Sequence, residues 1–247
     1  MRVSALFACL LLAACAKPHT ETATVTQGYE AVEDGGYLIS PVEARFLTGG
    51  VPRAEVDYAG GEDPGTIVID TYARRLYFVE EGSRAWRYTV GIGREGTTLR
   101  QGGSIGRTAE WPGWQPTARM LRTFPEIYGP YAGGRPGGLE SPLGARALYL
   151  YRGSRDTNYR IHGTIDDASI GRASSAGCIR LFNQDILHLY AQAGRGTQVK
   201  VRSQAESLAL EGPWMTDING NALPDTPENR AALEAAQAKV AAEASSG

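Results

Sequence analysis

Thr66-Ile67-Val68-Ile69-Asp70-Thr71, Arg75-Leu76-Tyr77-Phe78-Val79 and Trp86-Arg87-Tyr88-Thr89-Val90 are three β-rich runs in close succession, separated by polar turns such as Glu81-Gly82-Ser83. Runs of β-branched and aromatic residues punctuated in this way predict a meander of antiparallel strands. The composition points the same way, because 31 glycines and 13 prolines break up many short Val/Ile/Tyr/Thr runs, a pattern of strands and turns and not of a helical bundle. With 247 residues, 42% of them hydrophobic and 21% charged, the chain can fill one principal domain with extensions. A formal charge of −2 leaves no dominant basic surface and argues against a nucleic-acid partner.

The third run leads into Gly91-Ile92-Gly93-Arg94-Glu95-Gly96, a letter-by-letter match to the dinucleotide-binding G-x-G-x-x-G pattern. A phosphate-cradling loop must open into a helix, yet Thr97 to Gly103 has no helical apolar period, and the strands before it read as hairpins. We therefore expect a strand-end turn that needs flexible backbone, and no cofactor. Residues 102–142 are loop-like and dense in Gly and Pro, with Trp111-Pro112-Gly113-Trp114 near their start; they form either a wall over a groove or a surface loop packed on its tryptophans. Strand character resumes at Ala147–Tyr151 and Tyr159–His162. Asn183 can cap a helix running to Gly194, and Thr197–Val201 reads as a last strand. In the tail, Thr226 and Pro227 announce an alanine-rich helix from Arg230 to Ala242 that would bury little area.

The N-terminus, MRVSALFACLLLAAC, is an export signal: cationic Arg2, an apolar run, then small residues before Cys15. Leu12-Ala13-Ala14-Cys15 resembles a lipobox, which predicts a lipidated Cys15 as the mature N-terminus; ordinary cleavage after Ala14-Cys15-Ala16 is the alternative. Ala16, with no Asp there, favours outer-membrane sorting if the lipobox holds in a diderm bacterium. Residues 1–14 are thus a signal peptide, 15–62 a tether, 63–202 the principal domain and 203–247 a C-terminal extension.

Cys9 leaves with the signal and Cys15 is consumed by the lipid, so Cys178 is the remaining thiol. An unpaired cysteine in an oxidising compartment is either a buried small hydrophobe or a reactive group. Of three histidines, His19 lies in the tether and His188 on the predicted helix, leaving His162 at a strand end sixteen positions before Cys178 (178 − 162). An imidazole beside a thiol can take its proton and give the thiolate nucleophile. Gly163 and Gly177 flank the pair, and a Ser-x-Gly-Cys turn can aim backbone N–H groups at a tetrahedral oxyanion. A Cys/His acyl-transfer centre fits these residues. One Cys and one His fall short of structural zinc spacing, so no metal is expected.

Ile161-His162-Gly163-Thr164 followed by Ser175-Ala176-Gly177-Cys178-Ile179-Arg180-Leu181 resembles the active-site motif of the L,D-transpeptidases, or YkuD-domain proteins. Pro64–Asp70, Val90–Arg94 and Ser141–Ala147 are similar to that family's upstream segments, in the same order. The resemblance covers residues 63 to 202. It implies a mainly β, YkuD-like β-sandwich with one or more short helices, flanked by the N-terminal tether and the helical C-terminal tail. It also implies Cys178 as nucleophile, His162 as base, the Gly163 carbonyl as the group orienting the imidazole, and Ser175, Gly177 and Arg180 as substrate or oxyanion residues. Many family members carry a second histidine just before the Gly-Cys pair, where this chain has Ala176.

The implied partners are peptidoglycan stem peptides, with an envelope protein as a further candidate acyl acceptor and the membrane reached through the lipid anchor. The implied reaction is thioester formation on a stem tetrapeptide with release of D-alanine, then transfer to an amine. Water in place of the amine would make a carboxypeptidase. A non-catalytic wall-binding lipoprotein, in which Cys178 is merely buried, is the rival from another class. Arg152, Arg155, Arg160 and Arg172 are either attractors of acidic peptides or scattered surface charges.

Overall fold

The computed structural model describes residues 24–25, 27–94, 99, 101–175 and 177–245. The expected signal, Cys15, His19, the Glu95–Gly96 end of the glycine motif and Ala176 lie outside the described residues.

The three opening runs form the antiparallel strands Ile67–Asp70, Arg75–Glu80 and Arg84–Thr89, with Ile67 opposite Phe78 and Phe78 opposite Trp86. Asp70 ends the first strand by folding its carboxylate back on the chain. Its Oδ1 accepts the backbone N–H groups of Tyr72 and Ala73 at 3.0 and 2.9 Å, the turn geometry that Asp favours.

These strands belong to one ten-stranded mixed sheet. From Ile67–Asp70 it continues through Gln198–Val201, Gly103–Glu110, Arg146–Arg152 and Arg155–His162 to Ile179–Arg180. Two pairings are parallel: Gln198–Val201 with Ile67–Asp70, and Ile179–Arg180 with Arg155–His162. The sheet curls until its far edge meets the chain just beyond Thr89, where Gly91 and Arg180 exchange backbone hydrogen bonds of 2.9 and 2.8 Å. Alternate residues of both halves, among them Ile69, Leu76, Tyr88, Leu148 and Ile179, meet in one buried cluster. The result is a mainly β fold built on one large mixed sheet with few short helices, in keeping with the sandwich-like fold that the resemblance implies. A second cluster of Val56, Val68, Tyr77 and Val79 lies on the opposite face of the meander. Tyr77 donates there to Glu211 at 2.7 Å, at the end of the helix Gln204–Glu211.

The structure corrects the reading of residues 102–142. Gly103–Glu110 is a strand at the centre of the sheet. It carries one fully buried apolar side chain, Ile105, and this is too little hydrophobic pattern to announce a strand. Short helices at Ala118–Thr123 and Pro125–Tyr128 interrupt the remainder.

The second half of the N-terminal extension is docked. Val32–Asp34 and Tyr37–Ile39 form a hairpin, and Asp34 accepts both guanidinium arms of Arg146 at 2.7 Å and the Trp111 indole N–H at 2.8 Å. Tyr29 donates to the buried Asp185 carboxylate at 2.7 Å, and Arg53 reaches the same oxygen at 3.0 Å. Ala54–Asp57 then joins the sheet beside Arg84–Thr89. Packing against the sheet and its Asn183–Tyr190 helix thus begins well before residue 63. The tail holds the helix Gln204–Glu211, opened by a Ser203/Glu206 capping box, a small hairpin, and the helix Pro227–Ser245, where Thr226 accepts the Asn229 N–H at 3.2 Å.

Candidate active site

Ile161 and Ile179 pair across parallel strands and both point into the core, 2% and 1% exposed. Strand alternation then turns their neighbours to the other face. His162 and Arg180 sit opposite each other there. Continuing the register one residue back places Cys178 beside Arg160, whose backbone N–H hydrogen-bonds the thiol. The structure therefore brings His162, Cys178 and Arg180 to one face of two adjacent strands. His162 and Cys178 occupy diagonal positions of this parallel pairing, on the same face.

His162 is buried, and its Nδ1 lies 2.5 Å from the Gly163 carbonyl. A carbonyl only accepts, so Nδ1 carries the proton and Nε2 holds the lone pair. Burial pulls the imidazole pKa down to about 4, and the nearby Arg180 and Arg160 charges pull the same way, while the Gly163 hydrogen bond opposes them. Cys178 is half-buried and forms no disulfide among the described residues. Burial pushes its pKa up, opposed by the Arg160 N–H and by the Arg160 and Arg180 charges. The resting pair is therefore neutral thiol and neutral imidazole, in contrast to the thiolate expected from an adjacent histidine.

Backbone geometry explains the glycines. Gly177 has φ +135°, a conformation L side chains rarely adopt, and a Cβ there would sit 3.3 Å from the Tyr159 ring. Gly91 approaches so closely that a Cβ would meet the Ser169 carbonyl at 2.5 Å, and Gly93 pairs with Ser175. The described part of the glycine motif thus packs beneath the candidate site. Arg180 donates to the Ser174 hydroxyl, while its Nε is buried with no hydrogen-bond partner. Burial lowers its pKa, opposed by the charges of Asp166 and Cys178 and by Tyr128, which brings the 102–142 segment into electrostatic reach of the site.

Two features escaped the sequence. Asn183 is the first residue of the helix Asn183–Tyr190 and not its cap. Its Oδ1 accepts the Ala145 N–H at 2.9 Å and its Nδ2 donates to the Thr164 carbonyl at 2.8 Å, clamping the loop that carries Gly163. Arg160 is not a free attractor, because both its arms bind Asp156, at 2.7 and 3.0 Å. His188 accepts or donates through Nδ1 to the Tyr88 hydroxyl at 2.7 Å and packs edge-on against Trp86, which leaves it a packing role.

Residues 64–201 match the YkuD L,D-transpeptidase catalytic domain, more than half of the chain. The chain belongs to this family. It is 34% identical over 137 residues to "Probable L,D-transpeptidase YbiS" of Escherichia coli, covering 54% of this chain and 43% of that one. It is 31% identical over 148 residues to "Probable L,D-transpeptidase ErfK/SrfK" of Salmonella typhimurium, covering 59% and 46%. The chain thus spans under half the length of these relatives. A solved Brucella melitensis structure named "Probable carnitine operon oxidoreductase caia" is 39% identical, with a TM-score of 0.44, covering 64% of this chain and 98% of that one. The family segment contains His162, Cys178 and Arg180 and the two strands, Arg155–His162 and Ile179–Arg180, that bring them together.

Proposed function

We propose that this YkuD-family chain is a peptidoglycan L,D-transpeptidase in which Cys178 is the nucleophile and His162 the base. The observation that carries this reading is the placement of His162, Cys178 and Arg180 on one face of two paired strands inside the family segment. His162 Nε2 takes the thiol proton as Sγ attacks the carbonyl between the diamino acid and the terminal D-alanine of a stem tetrapeptide. The tetrahedral oxyanion collapses to a thioester, and the proton returns from Nε2 to the departing D-alanine amine. An acceptor amine, deprotonated through the same Nε2, then attacks the thioester and regenerates the thiol. The products are D-alanine and a new amide, and no cofactor is consumed.

In this reading the Gly163 carbonyl holds the tautomer, Gly177 and Ser175 shape the turn that faces the oxyanion, and Arg180 supplies positive charge beside the cysteine for a substrate carboxylate. With a neutral resting pair, proton transfer accompanies attack and no standing thiolate is needed. The signal layout supports an envelope placement with Cys15 lipidated, residues 15–62 as the N-terminal extension and residues 63–202 as the catalytic unit.

The test is mass spectrometry of products from the soluble domain and a purified disaccharide-tetrapeptide, beside Cys178→Ala. A cross-linked dimer lacking one D-alanine, absent with the variant, is the expected result. Trimmed monomer alone assigns water as acceptor in that assay, and no change at all sinks the enzymatic reading.

A further inference from the structure

Between His162 and Ile179 the chain leaves the large sheet, and it is pinned midway by the hairpin Trp214–Thr216/Ala222–Pro224, which lies beyond the family segment. The Ala222 N–H donates to the Gly171 carbonyl at 3.1 Å, and Asn221 pairs with Arg172. On its other side Arg172 is held by Ile92, whose N–H donates to the Arg172 carbonyl at 2.9 Å. The strand Ala173–Ser175 then runs beside Ile92–Gly93 into the turn before Cys178.

Two side chains complete this grip. The Asn221 amide is fixed at both ends: Nδ2 donates to Asp217 Oδ2 at 2.8 Å, and Oδ1 accepts from Arg172 Nε at 3.0 Å. Asp217 is set by the hairpin turn itself, since its Oδ1 accepts the N–H groups of Asn219 and Asn221 at 2.8 and 2.7 Å. Arg74 is buried and donates through Nη1 to the Gly171 carbonyl at 2.6 Å and to the Gly220 carbonyl, and through Nη2 to the Thr216 hydroxyl at 3.0 Å. Its backbone stands at φ +53°, in the left-handed region that strains a residue with a side chain. These contacts are directional, so they fix where Gly171 and Arg172 lie, six positions before Cys178 (178 − 172).

We propose that Asn221, held by Asp217, and Arg74 are positioning residues for the acyl-transfer centre: through Arg172 and Gly171 the C-terminal hairpin sets the strand Ala173–Ser175 and the turn that carries Cys178. The inference rests on the transpeptidase reading and extends the working site to residues outside the family segment. Arg172 is a link in this chain of contacts, and the hairpin is part of the catalytic unit.

The experiment uses the soluble chain from Ala16 through its whole C-terminal extension, in which Cys178 is the only cysteine. Asn221→Ala, Arg172→Gln, their double variant and Thr226→Ala are compared with the wild type in D-alanine release from a tetrapeptide donor. We expect Asn221→Ala and Arg172→Gln each to lower kcat roughly 5- to 20-fold with KM within about twofold, and the double variant to be no worse than the poorer single one. Thr226→Ala, which loosens only the tail helix, should keep wild-type kcat while lowering Tm by a similar few degrees. Alkylation of Cys178 by iodoacetamide between pH 6 and 10 reads its placement without substrate. Its midpoint should rise by about half a unit in Asn221→Ala, as the thiol loses the Arg160 N–H that lowers its pKa. Wild-type kcat in Asn221→Ala, losses that add in the double variant, or an equal kcat loss in Thr226→Ala overturn the inference. No D-alanine release by the wild type overturns the transpeptidase reading instead; the alkylation profile then decides alone, a shifted midpoint upholding the positioning of Cys178 by the hairpin and an unchanged one overturning it.

Discussion

Asn183 reaches back from the first turn of its helix to donate to the Thr164 carbonyl at 2.8 Å, which fixes the peptide that follows Gly163. The same side chain fills the space beside two glycines: a Cβ on Gly144 or Gly163 would lie 2.3 or 2.2 Å from its Oδ1. Gly163 in turn holds His162 through its carbonyl. A helix that begins just after the cysteine motif therefore sets the imidazole on the neighbouring strand.

Replacing Asn183 by Ala removes both hydrogen bonds and leaves the Ala145 N–H and Thr164 C=O unpaired, a loss of about 1–3 kcal/mol. We expect Tm to fall and kcat for D-alanine release to drop roughly 10-fold or more, with KM nearly unchanged, because the imidazole and not the substrate is released. Steady-state kinetics and a melting curve on one preparation check this. A variant with reduced Tm and wild-type kcat would confine Asn183 to a structural role.

Much of this arrangement was legible before any coordinates, and the reasons divide by physics. The meander from Thr66 to Val90 was plain because its strands are β-rich and buried on both faces. The cysteine and histidine stood out through residue chemistry and the resemblance around them. Gly103–Glu110 did not, because Ile105 alone anchors it to the core, and a central strand with glycines and one apolar contact looks like a loop. Asn183 reads as a cap because Asn before an apolar run usually is one; its actual partners, Ala145 and Thr164, lie far off in sequence and meet it only through the fold. The docking of the N-terminal strap was invisible for the same reason, since Asp34 and Arg146 are 112 positions apart.

That strap carries its own prediction. Asp34 binds Arg146 with two hydrogen bonds in a largely buried setting, so Asp34→Ala leaves the guanidinium with the more distant Glu110 carboxylate at 3.8 Å and should cost about 2–3 kcal/mol. A Tm reduced by several degrees, with the Asp34→Asn variant intermediate, is the expected outcome. An unchanged Tm would mean that the hairpin Val32–Asp34/Tyr37–Ile39 rests on the domain without stabilising it.

Gly177 has no tolerance for a side chain. At φ +135° an alanine is strained, and its Cβ would press on Tyr159 at 3.3 Å. Because the strain lies in the residue before Cys178, Gly177→Ala should lower acylation more than global stability. The burst of D-alanine release should fall at least 10-fold while Tm moves by a few degrees. A variant that acylates normally would show that the turn is adaptable.

The protonation states set a pH dependence whose sign can be worked out. His162 is depressed from an ordinary 6.5 to about 4, so the folded protein binds its proton less readily than the unfolded chain. Stability is fully present above pH 6.5 and is lost as the pH falls through about 4, with a slope that His162→Gln should reduce; the buried imidazole alone accounts for up to about 3 kcal/mol. His188, also lowered to about 4, adds to the same limb and remains in that variant. Cys178 behaves in the opposite direction chemically. Burial raises its pKa, so iodoacetamide should alkylate it slowly at neutral pH and faster as the pH rises into the alkaline range, with no plateau near 7. Alkylation rates measured by intact mass from pH 6 to 10 decide this. A plateau below pH 7 would mean that thiolate and imidazolium already coexist at rest, and the proton transfer assigned to the attack step would instead precede substrate binding.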